Sequence, residues 1–174
     1  MFKKILVLVD DQPTSMQAIR QGVEVARVNN GEVLFFYLLP NFDLAPVSMH
    51  DGVAPRPRDY EQTIRSEASA VLHRASSIAE SAGVNSARSM GSSGALTEAK
   101  CVAEVADKRR CELIVVGTNS RNALVRLIGG SIVPGLISCA NVPVLVCQAR
   151  DAGSRAPHRR KLRPSRMELS ASKE

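Results

Sequence analysis

Five short apolar runs punctuate this chain, separated by longer segments in which apolar residues recur at helical spacing. "KKILVLV" (3–9), "EVLFFYLL" (32–39), "ELIVVG" (112–117) and "VPVLVCQ" (142–148) are rich in branched residues, and "NSARSM" (85–90) is a weaker member of the set. Runs that are apolar throughout, rather than alternating, suit strands buried on both faces, as in a parallel sheet. Between them, residues 14–29 set Ile19, Val23 and Ala26 on one helical face, and Thr14 and Gln17 are spaced as a capping box. Residues 59–82 carry a fuller stripe: Ile64, Ala68, Val71, Leu72, Ala75, Ile78, Ala79 and Ala82, closed by Gly83 as a helix-ending glycine. Residues 95–109 place Leu96, Ala99, Val102, Ala103 and Ala106 together, and a short helix follows Ser131. The alternation β-α-β-α-β-α-β-α-β predicts an α/β fold, a doubly wound parallel sheet with helices on both faces. Ligands of such sheets sit beyond the carboxyl ends of the strands, where strand order reverses. That gathers residues 9–14, 38–60 and 117–131 around one crevice. The stretch from Pro40 to Asp59, with four prolines, reads as a site lid or a mobile loop.

Composition narrows the class. A chain of 174 residues, 44% hydrophobic, suits one globular domain. The apolar run after Lys3-Lys4 is too short for a signal sequence and meets Asp10 and Asp11 at once. No stretch reaches the length of a membrane span, so a cytoplasmic location is expected. Charge is unevenly placed. Residues 149–174 hold eight Lys or Arg against three acids, a net +5, whereas the rest of the chain is nearly neutral. This basic, proline-containing tail reads as disordered and solvated, and residues 1–148 as the domain. Nucleic-acid binding through the tail is not expected, because aromatic residues make up only 3% of the chain and no recognition motif accompanies the charge. Cys101, Cys111, Cys139 and Cys147 have no CxxC spacing and read as reduced thiols, Cys139 and Cys147 as small core residues. His50, His73 and His158 are scattered, so no metal site is expected.

Two segments carry candidate chemistry. "ILVLVDDQPTS" (5–15) ends a strand in paired carboxylates. A phosphoacceptor receiver would need a further aspartate ending a middle strand and a late lysine. Here the "ELIVV" strand ends in Gly117 and the last strand ends "VCQAR". Asp10 is then a candidate wall of a nucleotide pocket, and Asp11 a solvated neighbour. The second segment is "VVGTNSRNALVRLIGGSIVPGLI" (115–137). Its glycines permit positive φ and close backbone approach to phosphate oxygens. Ser131 is placed to cap a helix whose free N–H groups and dipole favour an anion, and Pro134 falls in the first helical turn. Arg121 and Arg126 add positive potential. The Gly-Lys-Ser/Thr ending of a P-loop is missing.

In these features the chain resembles the universal stress protein family. Nucleotide-binding members carry Gly, two residues, Gly, nine residues, then Gly-Ser or Gly-Thr. Here Gly117 is the first glycine, Ser120 stands at the second, residues 121–129 form the spacer, and Gly130-Ser131 is the final pair. The opening strand to Asp10, "ELIVVGT" and "ANVPVLV" extend the resemblance over residues 1–148. It implies an adenine nucleotide alpha hydrolase-like sheet in strand order 3-2-1-4-5. It also implies a homodimer through the last strand, Val142 to Val146, and a site for ATP, with or without magnesium. In that site Asp10 faces the ribose or adenine, and backbone around Val9 and Leu38 lines the base. Gly117, Asn119, Ser120, Gly130, Ser131 and Ile132 surround the phosphates. Ser120 in place of glycine leaves open a dimeric interaction protein with no nucleotide. No general base or nucleophile presents itself, so no catalytic residue is assigned; slow ATP hydrolysis or autophosphorylation is the most that the resemblance implies.

Overall fold

The computed structural model describes residues 1–42, 57–118 and 132–148, with the side chains of Pro57 and Arg58 left aside. Its strands are β1 (Lys4–Val9), β2 (Glu32–Leu39), β3 (Ser86–Ser92), β4 (Leu113–Thr118) and β5 (Val144–Gln148). Its helices are α1 (Pro13–Asn29), α2 (Pro57–Ser81), α3 (Glu98–Lys108) and α4 (Ile132–Cys139). All four pairings are parallel and the sheet order is β3-β2-β1-β4-β5, as expected.

Strict alternation along each strand builds two cores. Ile5, Val7 and Val9 of β1 join Val33 and Phe35 of β2 and Leu113 and Val115 of β4 against α1 and α2. Leu6, Leu34, Phe36, Ile114 and Val116 face the other way, against α3 and Leu136 of α4. Both faces of the central strands are therefore dry, which is why their sequences read as unbroken apolar runs. β3 is the exception: an edge strand of small and polar residues, and largely exposed.

Three helices hand over to the next strand by the same device. Asn30, Gly83 and Arg110 take left-handed φ of 50°, 70° and 54°. One residue later an N–H reaches back to the carbonyl of a fully buried alanine: Gly31 to Ala26, Val84 to Ala79 and Cys111 to Ala106, at 2.8, 2.9 and 2.8 Å. This six-to-one bond satisfies an orphan helix carbonyl and turns the chain sharply toward the sheet.

Several boundaries differ from the sequence reading. α1 begins before Thr14. Its N-cap is Gln12, which makes no side-chain cap bond, and Pro13 is the first helical residue, so the capping box of Thr14 and Gln17 does not form. Proline is pre-set for that position, and the N–H it lacks is one no helix bonds. α3 begins after Thr97, whose hydroxyl caps Lys100 N–H at 3.4 Å, leaving Leu96 outside the helix and 40% exposed. β5 starts only at Val144, because Pro143 has no N–H for the ladder; its carbonyl still accepts from Ile114 N–H at 3.0 Å. Cys147 is buried as expected, but Cys139 is only half-buried, and Cys101 and Cys111 are the other buried thiols.

α1 lies close on β1 because Gly22 is buried over Val7, where a Cβ would collide with the valine Cγ2. Gly22→Ala should gain about 1 kcal/mol of helix propensity and lose about 1–3 kcal/mol to overpacking. A net loss of about 1 kcal/mol in urea unfolding is expected, turning to a gain in a Val7→Ala background. Additive effects of the two changes would contradict this packing account.

Candidate nucleotide site

The sheet opens between β1 and β4. Pairing of β1 with β2 runs on to Val9↔Tyr37, and pairing of β4 with β5 runs to Thr118↔Gln148. Pairing of β1 with β4 stops at Val7↔Val115. The carboxyl ends of the two strands are thus unpaired with each other at the place where strand order reverses, a ready crevice in sheets of this kind.

Asp10 stands at one lip, just beyond β1. Its Oδ1 accepts the Gln12 N–H at 2.9 Å, closing the turn into α1, and its own N–H donates to Ser15 Oγ at 3.0 Å. The residue is exposed overall, yet protein atoms around the carboxyl raise its pKa above the usual aspartate value. The bond from Gln12 N–H opposes the rise, the charge of Asp11 adds to it, and Ser15 opposes it again. Asp11 is exposed and, among the described residues, accepts from the neighbouring Gln12 Nε2 at 3.0 Å.

Gly117 stands at the other lip, paired with Cys147. Its φ is not left-handed. Its glycine is required for a different reason: a Cβ there would lie 2.5 Å from the Thr14 carbonyl oxygen and 3.2 Å from Ser15 N. The first turn of α1 is seated directly against β4 at this point.

Val9 is buried and its side chain belongs to the α1–α2 core. Leu38 and Ile132 are half-buried on the opposite face, where both pack against the core under α3 and α4. Asn119, Ser120, Gly130 and Ser131 lie outside the described residues, as does the stretch 43–56 that follows β2. Sequence reading missed two contributors. Leu8 packs on the same core as Leu38 and Ile132, and its place on β1 two residues after Leu6 was the available signal. Ser15 left no sequence signal of its own, because its partner belongs to another element.

Two concavities among the described residues, of about 490 and 310 Å³, flank the exposed strand β3 rather than this opening. Among the described residues no group of three or more His, Cys, Asp or Glu could hold a metal ion. Burial pushes the Cys111 thiol up to about 11 and raises those of Cys101 and Cys147, so these three are protonated at neutral pH and poor nucleophiles. No described helix is long and apolar enough to cross a membrane.

Residues 1–148 match the universal stress protein family. The chain belongs to that family. Universal stress protein A homolog 1 of Coxiella burnetii is 33% identical over 135 residues, covering 74% of this chain and 84% of the relative. Among solved structures, a universal stress protein of Archaeoglobus fulgidus in complex with dAMP superposes with a TM-score of 0.59 at 22% identity, covering 84% of this chain and 98% of that one. A universal stress protein family member from Arabidopsis thaliana with AMP bound gives 0.61 at 15%, covering 86% and 93%. At these identities the two structures establish the shared universal stress protein fold.

Proposed function

We propose that this universal stress protein is a regulatory protein that binds ATP or a related adenine nucleotide in the opening between β1 and β4. The observation that carries the reading is the parting of β1 from β4 with Asp10 and Gly117 on its two lips. The described residues fit the nucleoside half of such a ligand. Asp10 offers a carboxylate acceptor to a ribose hydroxyl, and Leu8 and Leu38 supply apolar surface on one face. The relatives solved with dAMP and AMP support the ligand class. The phosphate half falls to Gly117, Asn119, Ser120, Gly130, Ser131 and Ile132, with or without magnesium. Occupancy would be signalled through a change of dimer or loop state, in the cytoplasm, without catalytic turnover of an ordinary kind.

A homodimer through β5 belongs to the same reading. β5 is an edge strand whose Val144, Leu145 and Val146 are only half-buried in the single chain, and α4 leaves Ile137 65% exposed. An apolar edge left open invites uncontrolled pairing, and a second copy covers it. Residues 149–174, read from the sequence as a solvated extension, lie outside the described residues.

The test begins with denaturing the purified protein and identifying released nucleotide, then titrating ATP and AMP calorimetrically with and without magnesium. No release and no binding at millimolar nucleotide would overturn the reading in favour of an interaction protein with an empty site. Ser120→Gly would then report whether the serine blocks the phosphates. Asp10→Asn is expected to weaken binding about tenfold or more, since a charge-assisted hydrogen bond is lost. It should leave stability unchanged or slightly higher at neutral pH. Because the folded-state pKa of Asp10 is raised, its favourable contribution exists below the ordinary aspartate pKa and is lost as pH rises through the raised value. Asparagine keeps the acceptor for Gln12 N–H and removes the disfavoured charge. An Asp10→Asn variant that binds nucleotide normally would remove Asp10 from the site.

A further inference from the structure

Among the described residues, Ser15 is the polar side chain that stands out as fully buried, at 3% exposure. A hydroxyl in such a place is costly unless bonded. Three serines elsewhere in these helices bond within their own helix: Ser77, Ser81 and Ser138 donate to the carbonyls of His73, Ser77 and Pro134, four residues back, while the buried Ser76 Oγ finds no partner among the described residues. Ser15 does otherwise. Its Oγ accepts the N–H of Asp10, on the far side of the turn, at 3.0 Å.

That N–H has particular need of a partner. Asp10 lies beyond the last ladder pair of β1 on either side, Val9↔Tyr37 toward β2 and Val7↔Val115 toward β4. The Ser15 main chain is fixed in turn: its N–H donates to Gln12 O at 3.0 Å, and β4 abuts it where Gly117 lacks a Cβ. One buried hydroxyl thus joins the end of β1 to the first turn of α1 at the point where that turn rests on β4.

We infer that Ser15 is a positioning residue for the nucleotide site, holding the main chain at Asp10 so that its carboxyl keeps a fixed place at the lip of the opening. This rests on the nucleotide-binding reading above for its consequence, but its structural half is measurable without ligand. Ser15 also helps to draw the Asp10 carboxyl down against the upward pull of burial, so loss of the hydroxyl should raise that titration further.

The experiment uses the full chain with Ser15→Ala, and Ser81→Ala as a control from the group that bonds within its own helix. Amide exchange at Asp10 and titration of its carboxyl are followed by NMR, and AMP binding by calorimetry. In S15A the Asp10 amide should exchange about tenfold faster while Ala18 keeps its protection. The Asp10 carboxyl should titrate higher, and AMP should bind about tenfold more weakly. S81A should change none of these. Should S15A not fold, Ser15→Cys, which fills the space with a weak acceptor, carries the same readings. An Asp10 amide and carboxyl that behave as in the wild type overturn the inference, as does unaltered AMP affinity in a wild type that binds. If the wild type binds neither AMP nor ATP while the Asp10 signals move as stated, the ligand reading falls and the anchoring of Asp10 by Ser15 is upheld.

Discussion

Gly117→Ala is expected to destabilise the protein by about 3 kcal/mol, the upper part of the usual overpacking range. For a chain of this length the melting temperature should fall by about 6–12 °C. The new Cβ would lie 2.5 Å from the Thr14 carbonyl oxygen and 2.7 Å from the carbonyl carbon. Both are backbone atoms of the first turn of α1, so no side chain can rotate out of the way. Relief requires α1 to shift, and α1 carries Ala18, Ile19, Val23 and Ala26 into the core. The same shift would move the turn that holds Asp10, so under the proposed nucleotide-binding function affinity should fall with stability. Two other glycines provide the comparison. Gly83 has open space around its Cβ position but a φ of +70°, so alanine there should cost about 1 kcal/mol, from backbone strain. Gly91 has ordinary φ and a Cβ position 3.6 Å from the Phe36 ring, an ordinary contact, so alanine should be nearly neutral. Urea unfolding of the three variants tests the order. A G117A protein within about 0.5 kcal/mol of wild type, the usual range for featureless sites, would show that the contact between α1 and β4 is not tight.

What could be read from the sequence follows from how local each cause is. β2 is found at its expected bounds, Glu32–Leu39, because a strand buried on both faces writes its burial into consecutive residues. The apolar run predicts β5 two residues early because it includes Val142 and Pro143, whereas the ladder begins only where an N–H is available. The failed capping box at Thr14 has a related cause. The spacing of Thr14 and Gln17 fits the pattern, but Pro13 takes the first helical position and Asp10 and Ser15 satisfy the turn instead. At the opening between β1 and β4, the position of Asp10 is legible because it ends an unbroken run. Gly117 was visible for a reason that proved incomplete: a glycine expected to approach phosphate also makes room for the Thr14 carbonyl. That second role, like the role of Ser15, depends on two elements meeting in space, and no spacing along one chain segment records it.

Phe35 and Phe36 carry the other large effect, and their difference is more telling than either value. The two are adjacent on β2 and almost equally buried, at 0% and 1% exposure, but face opposite sides of the sheet. Phe35 is opposite Val7 on β1 and is packed within the core closed by α1 and α2. Truncation to alanine there should cost about 4–5 kcal/mol, the upper end for a buried phenylalanine, because the core it fills is closed by α1 and α2 and can collapse into the void only in part. Against a typical domain stability of about 5–15 kcal/mol that is a large share of the total. Phe36 faces α3 and also lines the concavity of about 310 Å³ beside β3, with Ser89, Gly91 and Val105. Its surroundings are already open on one side, so water and nearby side chains can occupy part of the space it leaves. Phe36→Ala should therefore cost nearer 3 kcal/mol, the lower end of the same range. Denaturant unfolding of both variants decides the point. If Phe36→Ala proves as costly as Phe35→Ala, the β3 side of the sheet is as rigidly packed as the α1–α2 side, and its concavity gives the core no compliance.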